Sequence, residues 1–154
     1  MVKYLFDTSA FTKRYHKELG SERVRAIFEA SSSRVMVSNL TIVETQSAFG
    51  VKVRTRAILG VDADLAMDQV FLEIAKGLVG VAKLTDGHLE GARILIRKYG
   101  YLKALKTLDA LQLALAMALR RAGELDVFVI ADRAFGEIAA LEGLPVEDPQ
   151  VTTS

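Results

Sequence analysis

Four carboxylates stand where an apolar run has just ended or a helical pattern is about to begin. "YLFDTSAF" breaks an apolar, strand-like run with Asp7, and "VFVIADRAF" does the same with Asp132. "SNLTIVET" carries Glu44 shortly after a second strand-like run, and "LKTLDALQLA" carries Asp109 where a long apolar helical pattern starts. Each position has an ordinary structural explanation. Asp7 and Asp132 suit helix N-caps, whose side-chain oxygens accept from the free N–H groups of a first turn. Thr41 and Glu44 have the spacing of a capping box. Asp109 would sit in a first turn, where the helix dipole favours negative charge.

The other explanation is chemical. If the strands are parallel neighbours, the four side chains collect at one edge of the sheet. Carboxylates about 5 Å apart repel by roughly 3 kcal/mol per pair at an effective dielectric of about 20. Helix dipoles of ~0.3–1 kcal/mol each do not offset several such pairs. A divalent cation would, and an all-oxygen donor set selects Mg²⁺ or Mn²⁺ over zinc or copper.

The elements that must position these residues follow from hydrophobic periodicity. Strand-like runs cover residues 3–6, 34–37, 79–84 and 127–131, with a weak fifth around Val146. Between them lie helical stripes, apolar residues spaced by three and four. These are Val24, Ile27 and Phe28; Met67, Val70, Phe71, Ile74 and Leu78; and Leu89, Ala92, Ile96 and Tyr99. A long helix is expected from Thr41 to about Leu59, its basic later half suited to the negative end of the dipole. The run from Leu108 to Gly123 is apolar almost all round and ends on a glycine stop, so that helix must be packed on several sides. Strands alternating with helices indicate an α/β fold: a three-layer α/β/α sandwich around a mainly parallel sheet of four to five strands. In such folds ligands gather beyond the carboxyl ends of the strands.

Composition narrows the functional classes. At 154 residues a single domain is expected over the whole chain, long enough for a full core. The hydrophobic fraction of 51% points to a sheet covered on both faces or to an additional apolar surface for a partner. No apolar stretch approaches the ~18 residues of a membrane span. The opening "MVKYLFD" lacks a secretory pattern, so a cytoplasmic protein is expected. The sequence has no cysteine, which excludes disulfides, thiolate zinc sites and a cysteine nucleophile. A net charge of +1 carries no nucleic-acid signature. The basic clusters Lys13, Arg14, Lys17 and Lys52, Arg54, Arg56 read as solvated helix faces. His16 and His88 read as surface residues, and Tyr4, Tyr15, Tyr99 and Tyr101 as packing residues. No glycine-rich phosphate loop is present.

Four segments in series, "YLFDTSAFTKRYHKELGSERV", "SNLTIVETQSAF", "LKTLDALQLALA" and "VIADRAFGEIAALEGLPV", resemble in order and spacing the motifs of the PIN-domain ribonucleases, specifically the VapC toxins of type II toxin–antitoxin modules. The resemblance spans nearly the whole chain, although residues 54–87 identify no substrate. It implies that Asp7, Glu44, Asp109 and Asp132 form a catalytic, metal-holding quartet, with Asp7 and Asp109 as direct ligands and Ser9 and Thr107 as supporting hydroxyls. It implies Mg²⁺-dependent hydrolysis of structured RNA such as tRNA or rRNA, leaving 5′-phosphate and 3′-hydroxyl ends, with Mn²⁺ as a substitute. It further implies a homodimer held inactive by a VapB-type antitoxin, whose C-terminal segment occupies the groove. Two alternatives stay open. One is a catalytically silent PIN-like module whose acidic edge binds a basic partner. The other is a phosphoacceptor-aspartate domain, although no second aspartate follows two residues after Asp7 and no lysine closes the last strand.

Overall fold

Five strands form one parallel sheet in the computed structural model, which describes residues 1–151. They are β1 (Val2–Phe6), β2 (Ser33–Ser38), β3 (Val79–Ala82), β4 (Val127–Val129) and β5 (Val146–Glu147), in the spatial order β3-β2-β1-β4-β5. Every neighbouring pair is parallel, so the sheet expected to be mainly parallel is wholly so. The chain builds outward from β1 through β2 and β3, then returns to the other side of β1 for β4 and β5. The carboxyl end of β1 therefore lies at the point where strand order reverses, the usual ligand position in open α/β sheets.

Seven helices complete the fold. They are α1 (Thr8–Phe11), continued by a 3₁₀ turn at Thr12–Arg14, α2 (Ser21–Glu29), α3 (Asn39–Arg54), α4 (Gly60–Ala75), α5 (Asp86–Tyr99), α6 (Thr107–Arg121) and α7 (Arg133–Leu141). Side chains alternate along β1, and this alternation separates two cores. Leu5 faces Leu95, Leu113 and Ile138 of α5, α6 and α7. Phe6 faces Phe11, Ile27, Phe49 and Val70 of α1 to α4. These are the two covered faces of a three-layer sandwich. As its composition demands, α6 is buried widely, at Ala110, Gln112, Leu113, Ala114, Leu115 and Ala116. Among the described residues, no helix is long and apolar enough to cross a membrane.

Some sequence expectations fail for local reasons. The helix expected from Thr41 to about Leu59 begins two residues earlier and stops at Arg54, because Arg56 turns left-handed (φ 61°) and a new helix starts at Gly60. On α4 the buried line runs Ala63, Met67, Val70, Glu73. Phe71, one position off that line, is rotated to the surface, and Leu78, beyond the helix end, is exposed too. Leu89, in the first turn of α5, is exposed, whereas Ala92, Leu95 and Tyr99 are buried. Tyr101 does not pack at all: it is 88% exposed in the loop after α5.

Two ties fix the start of the chain near the sheet edge. Glu73 accepts from Arg14 Nη2 (2.9 Å), Tyr15 Oη (2.8 Å) and Gln69 Nε2 (3.0 Å), anchoring the 3₁₀ turn to α4. Burial alone would raise the Glu73 carboxyl, but these donors hold it below the usual range. Just before α2, Gly20 adopts φ 93°, and a Cβ there would meet the Pro149 carbonyl oxygen at 3.0 Å. Gly20→Ala is therefore expected to cost about 1–2 kcal/mol through backbone strain and displacement of the C-terminal segment. In a thermal melt that is a loss of roughly 3–6 °C. An unchanged melting temperature would mean that this segment is not seated against Gly20.

Candidate active site

The site begins where β1 ends. After Phe6 the backbone stays extended at Asp7, whose side chain turns to cap α1, with Oδ1 accepting from the Ala10 N–H at 3.0 Å. Asp7 is 5% exposed. Ser9 donates its hydroxyl to Asp7, 2.8 Å from each carboxylate oxygen. The same Ser9 oxygen accepts from the backbone N–H groups of Ala131 (3.0 Å) and Asp132 (3.1 Å), just beyond β4. A hydroxyl offers one donor and two lone pairs, and here all three are used. Ser9 thus bolts the end of β1 to the end of β4 and is not a free nucleophile. Asp132 caps α7, accepting from the Phe135 N–H at 3.1 Å.

Glu44 is not part of a capping box. The N-cap of α3 is Ser38, whose Oγ accepts from the Thr41 N–H at 3.0 Å. That moves Thr41 inside the helix and Glu44 into its second turn, out of reach of the cap. Glu44 instead accepts from Thr8 Oγ1 at 2.9 Å and from Gln112 Nε2 at 3.2 Å. Asp109 lies in the first turn of α6, as its position after Thr107 suggested. Thr107 itself is exposed, and among the described residues its hydroxyl makes no hydrogen bond.

Electrostatics link the four carboxylates. Burial pushes Asp7 up from 3.8 to about 7, against the hydrogen bonds from Ser9 and Ala10, and the charge of Asp109 adds to the rise. Burial also pushes Asp109 up, to about 6, with the charges of Asp132 and Glu44 adding and Lys106 opposing. Each member of the set therefore feels at least one other, at the carboxyl edge of β1 and β4. Among the described residues, no three Asp, Glu or His side chains are gathered tightly enough to enclose an ion as they stand. The donor set nonetheless fits a hard divalent cation: it is all oxygen, and burial, with the charge of neighbouring carboxylates adding, raises both Asp7 and Asp109. Asp7, Asp109, Glu44 and Asp132 are the side chains that could hold one.

Three contributors were not read from the sequence. Thr8 and Gln112 clamp Glu44, and Gln150 donates from Nε2 to the Ala131 carbonyl at 2.8 Å, bracing the strand end that Ser9 holds. Gln112 had a signal, since it falls three residues after Asp109 and so on the same helix face. His88 is a cap and not a catalytic group: its Nδ1 accepts from the Thr85 N–H at 3.0 Å at the start of α5. His16 is only half-buried, with Nδ1 lacking a partner among the described residues.

Solved structures share this architecture. VapC20 of Mycobacterium tuberculosis, described as a Sarcin-Ricin loop cleaving toxin, superposes with a TM-score of 0.66 at 19% identity, over 97% of this chain and 99% of that one. FitAcB from Neisseria gonorrhoeae gives 0.64 at 18% identity, again over 97% and 99%. VapBC2 from Rickettsia felis, bound to a DNA fragment from its promoter, gives 0.62 at 14% identity over 96% and 98%. At these identities the likeness establishes the fold. No curated protein matches the sequence. Residues 4–141, from the first strand through the last helix, match the PIN domain, and the chain belongs to that family.

Proposed function

We propose that this PIN-domain protein is a toxin of the VapC type. It is an endoribonuclease dependent on Mg²⁺ or Mn²⁺ that hydrolyses phosphodiester bonds in structured RNA such as tRNA or rRNA, leaving 5′-phosphate and 3′-hydroxyl ends. The observation that carries this reading is Asp7: an almost fully buried carboxyl, pushed up to about 7 beside Asp109, at the edge where β1 and β4 end. Burying this carboxyl beside another costs stability in the metal-free protein, and a bound cation would offset that cost. Asp7, Asp109, Glu44 and Asp132 would hold the cation, which when bound supplies Lewis acidity toward phosphate and water. The other residues orient this set. Ser9 fixes the Asp7 carboxylate and the strand end that carries Asp132, while Thr8 and Gln112 fix Glu44. Specificity falls to loops, basic side chains and RNA shape, because the sheet presents no aromatic stacking surface.

The partners in this reading are a second copy of the chain and a VapB-type antitoxin that places a basic side chain among the carboxylates. Exposed apolar residues on α3 and α4 support it, among them Val43, Val51, Leu65, Phe71 and Leu72. Obligate interfaces resemble a core cut in half. The free protein is thus expected to sediment as a dimer at tens of micromolar, and a monomer there would count against this half of the proposal.

The decisive experiment incubates antitoxin-free protein with total cellular RNA in Mg²⁺, in Mn²⁺ and in EDTA, and sequences the new ends. Discrete cuts with either metal and none in chelator are expected. Cleavage that survives thorough EDTA treatment overturns the mechanism. Intact RNA together with a melting temperature indifferent to Mg²⁺ would favour a silent acidic module.

A further inference from the structure

We infer that Gln112 is a positioning residue for Glu44, turning one carboxylate oxygen inward so that the other faces the acidic edge; the inference rests on the metal-dependent reading above. Both hydrogen bonds to Glu44 land on the same atom. Oε1 accepts from Thr8 Oγ1 at 2.9 Å and from Gln112 Nε2 at 3.2 Å, and among the described residues Oε2 accepts none. Oε2 is thus the oxygen left for a cation. The two donors come from either side of the site: Thr8 follows Asp7 directly, and Gln112 lies one turn beyond Asp109 on α6. Glu44 is in this way tied to both of the carboxylates that burial has raised.

Apolar packing does not explain Gln112. It is 2% exposed in the middle of an apolar helix, and its Oε1 is buried without a partner among the described residues. An apolar side chain of the same volume would leave no such orphan, so packing alone selects against glutamine here. What the amide does is aim two hydrogens. Nε2 donates to Glu44 and, at 2.6 Å, to Thr41 Oγ1, which is itself 3.2 Å from Ser38 Oγ at the α3 cap. Flipping the amide would set its oxygen against a carboxylate oxygen, acceptor against acceptor. The negative charge of Glu44 therefore dictates the amide's orientation, and the orphaned oxygen is the consequence.

The test measures Mg²⁺ binding by calorimetry, independently of any RNA, in the intact protein and in Gln112→Leu, Glu44→Gln and the double variant. Partners that orient a metal ligand typically matter by 10–100-fold in affinity. Gln112→Leu is expected to remain folded and to weaken Mg²⁺ binding about tenfold. In the Glu44→Gln background the same change is expected to add no loss, because no carboxylate remains to be aimed. Thr8→Val, which removes the other bond to Oε1, should weaken binding in the same way and carries the cycle if Gln112→Leu does not fold. Parent-like affinity in a folded Gln112→Leu overturns the inference, as does a loss of equal size with and without Glu44; if Gln112→Leu does not fold, parent-like affinity in Thr8→Val overturns it. If the unmodified protein itself fails to bind Mg²⁺, the metal-dependent reading falls and this one with it. If it binds, Glu44→Gln weakens it and Gln112→Leu does not, only the positioning role falls.

Discussion

Replacing Asp7 with asparagine is expected to raise the melting temperature of the metal-free protein, with a gain that grows as pH rises from about 4 to about 7. The folded protein holds a proton on Asp7 until about pH 7, whereas the ordinary aspartate value is 3.8. Between those values the folded state binds more protons than the unfolded chain, so the contribution of Asp7 to stability is lost as pH climbs through that window. A rise of this size corresponds to roughly 4 kcal/mol once Asp7 is ionised, on the order of 10 °C in a domain this large. Asparagine carries no proton to lose, yet caps α1 about as well as aspartate. Magnesium offsets more than half of that difference. At a hundredfold excess over its dissociation constant a ligand stabilises by about 2.7 kcal/mol, and that gain belongs to the unmodified protein, not to the variant. RNA cleavage is lost with it. Melts at pH 5 and 7.5, with Mg²⁺ and with EDTA, decide the matter. If parent and variant melt alike at both values and respond equally to Mg²⁺, Asp7 is a helix cap and nothing more.

Asp7 and Asp132 show why a cap and a site were both legible in the sequence and were never exclusive. Each accepts from a first-turn N–H, and each also stands at the end of a strand next to the other's element. Strand ends were readable because an apolar run broken by a carboxylate is a local pattern. Glu44 was readable as a carboxylate near a helix start but not in its role, because Thr41 and Glu44 have capping-box spacing and only the fold puts the cap at Ser38. The second function of Ser9 lay further out of reach: it depends on β4 being seated beside β1, more than a hundred residues away. Phe71 and Tyr101 mark a different limit. Periodicity counts apolar residues at helical spacing, but burial depends on whether another element arrives to cover them, and at these two positions none does.

Ser9→Ala should shift stability in the opposite direction from Asp7→Asn, with the opposite pH response. Its hydroxyl is the partner of the Ala131 and Asp132 N–H groups, which alanine would leave to water or to nothing. Unsatisfied backbone groups at a buried site cost about 1–3 kcal/mol each. Both residues are partly exposed, so a loss of roughly 2 kcal/mol is expected, or about 4–8 °C. A second loss depends on pH. The Ser9 hydroxyl favours the ionised form of Asp7, so removing it pushes that carboxyl higher still. Below about pH 6 Asp7 is protonated in the parent and the variant alike, and only the backbone loss remains. Above about pH 7 the parent's Asp7 ionises with the help of Ser9 and the variant's must do so without it, so the deficit widens. Ser9→Thr, which keeps a hydroxyl at the same position, should recover most of both losses. Melting in EDTA at pH 5 and at pH 8 separates the two parts. A deficit of equal size at both values would make Ser9 a brace between β1 and β4 alone, with no hold on the charge of Asp7. A deficit confined to high pH would mean that the two N–H groups find water at no cost, and that the hydroxyl is kept for the carboxylate.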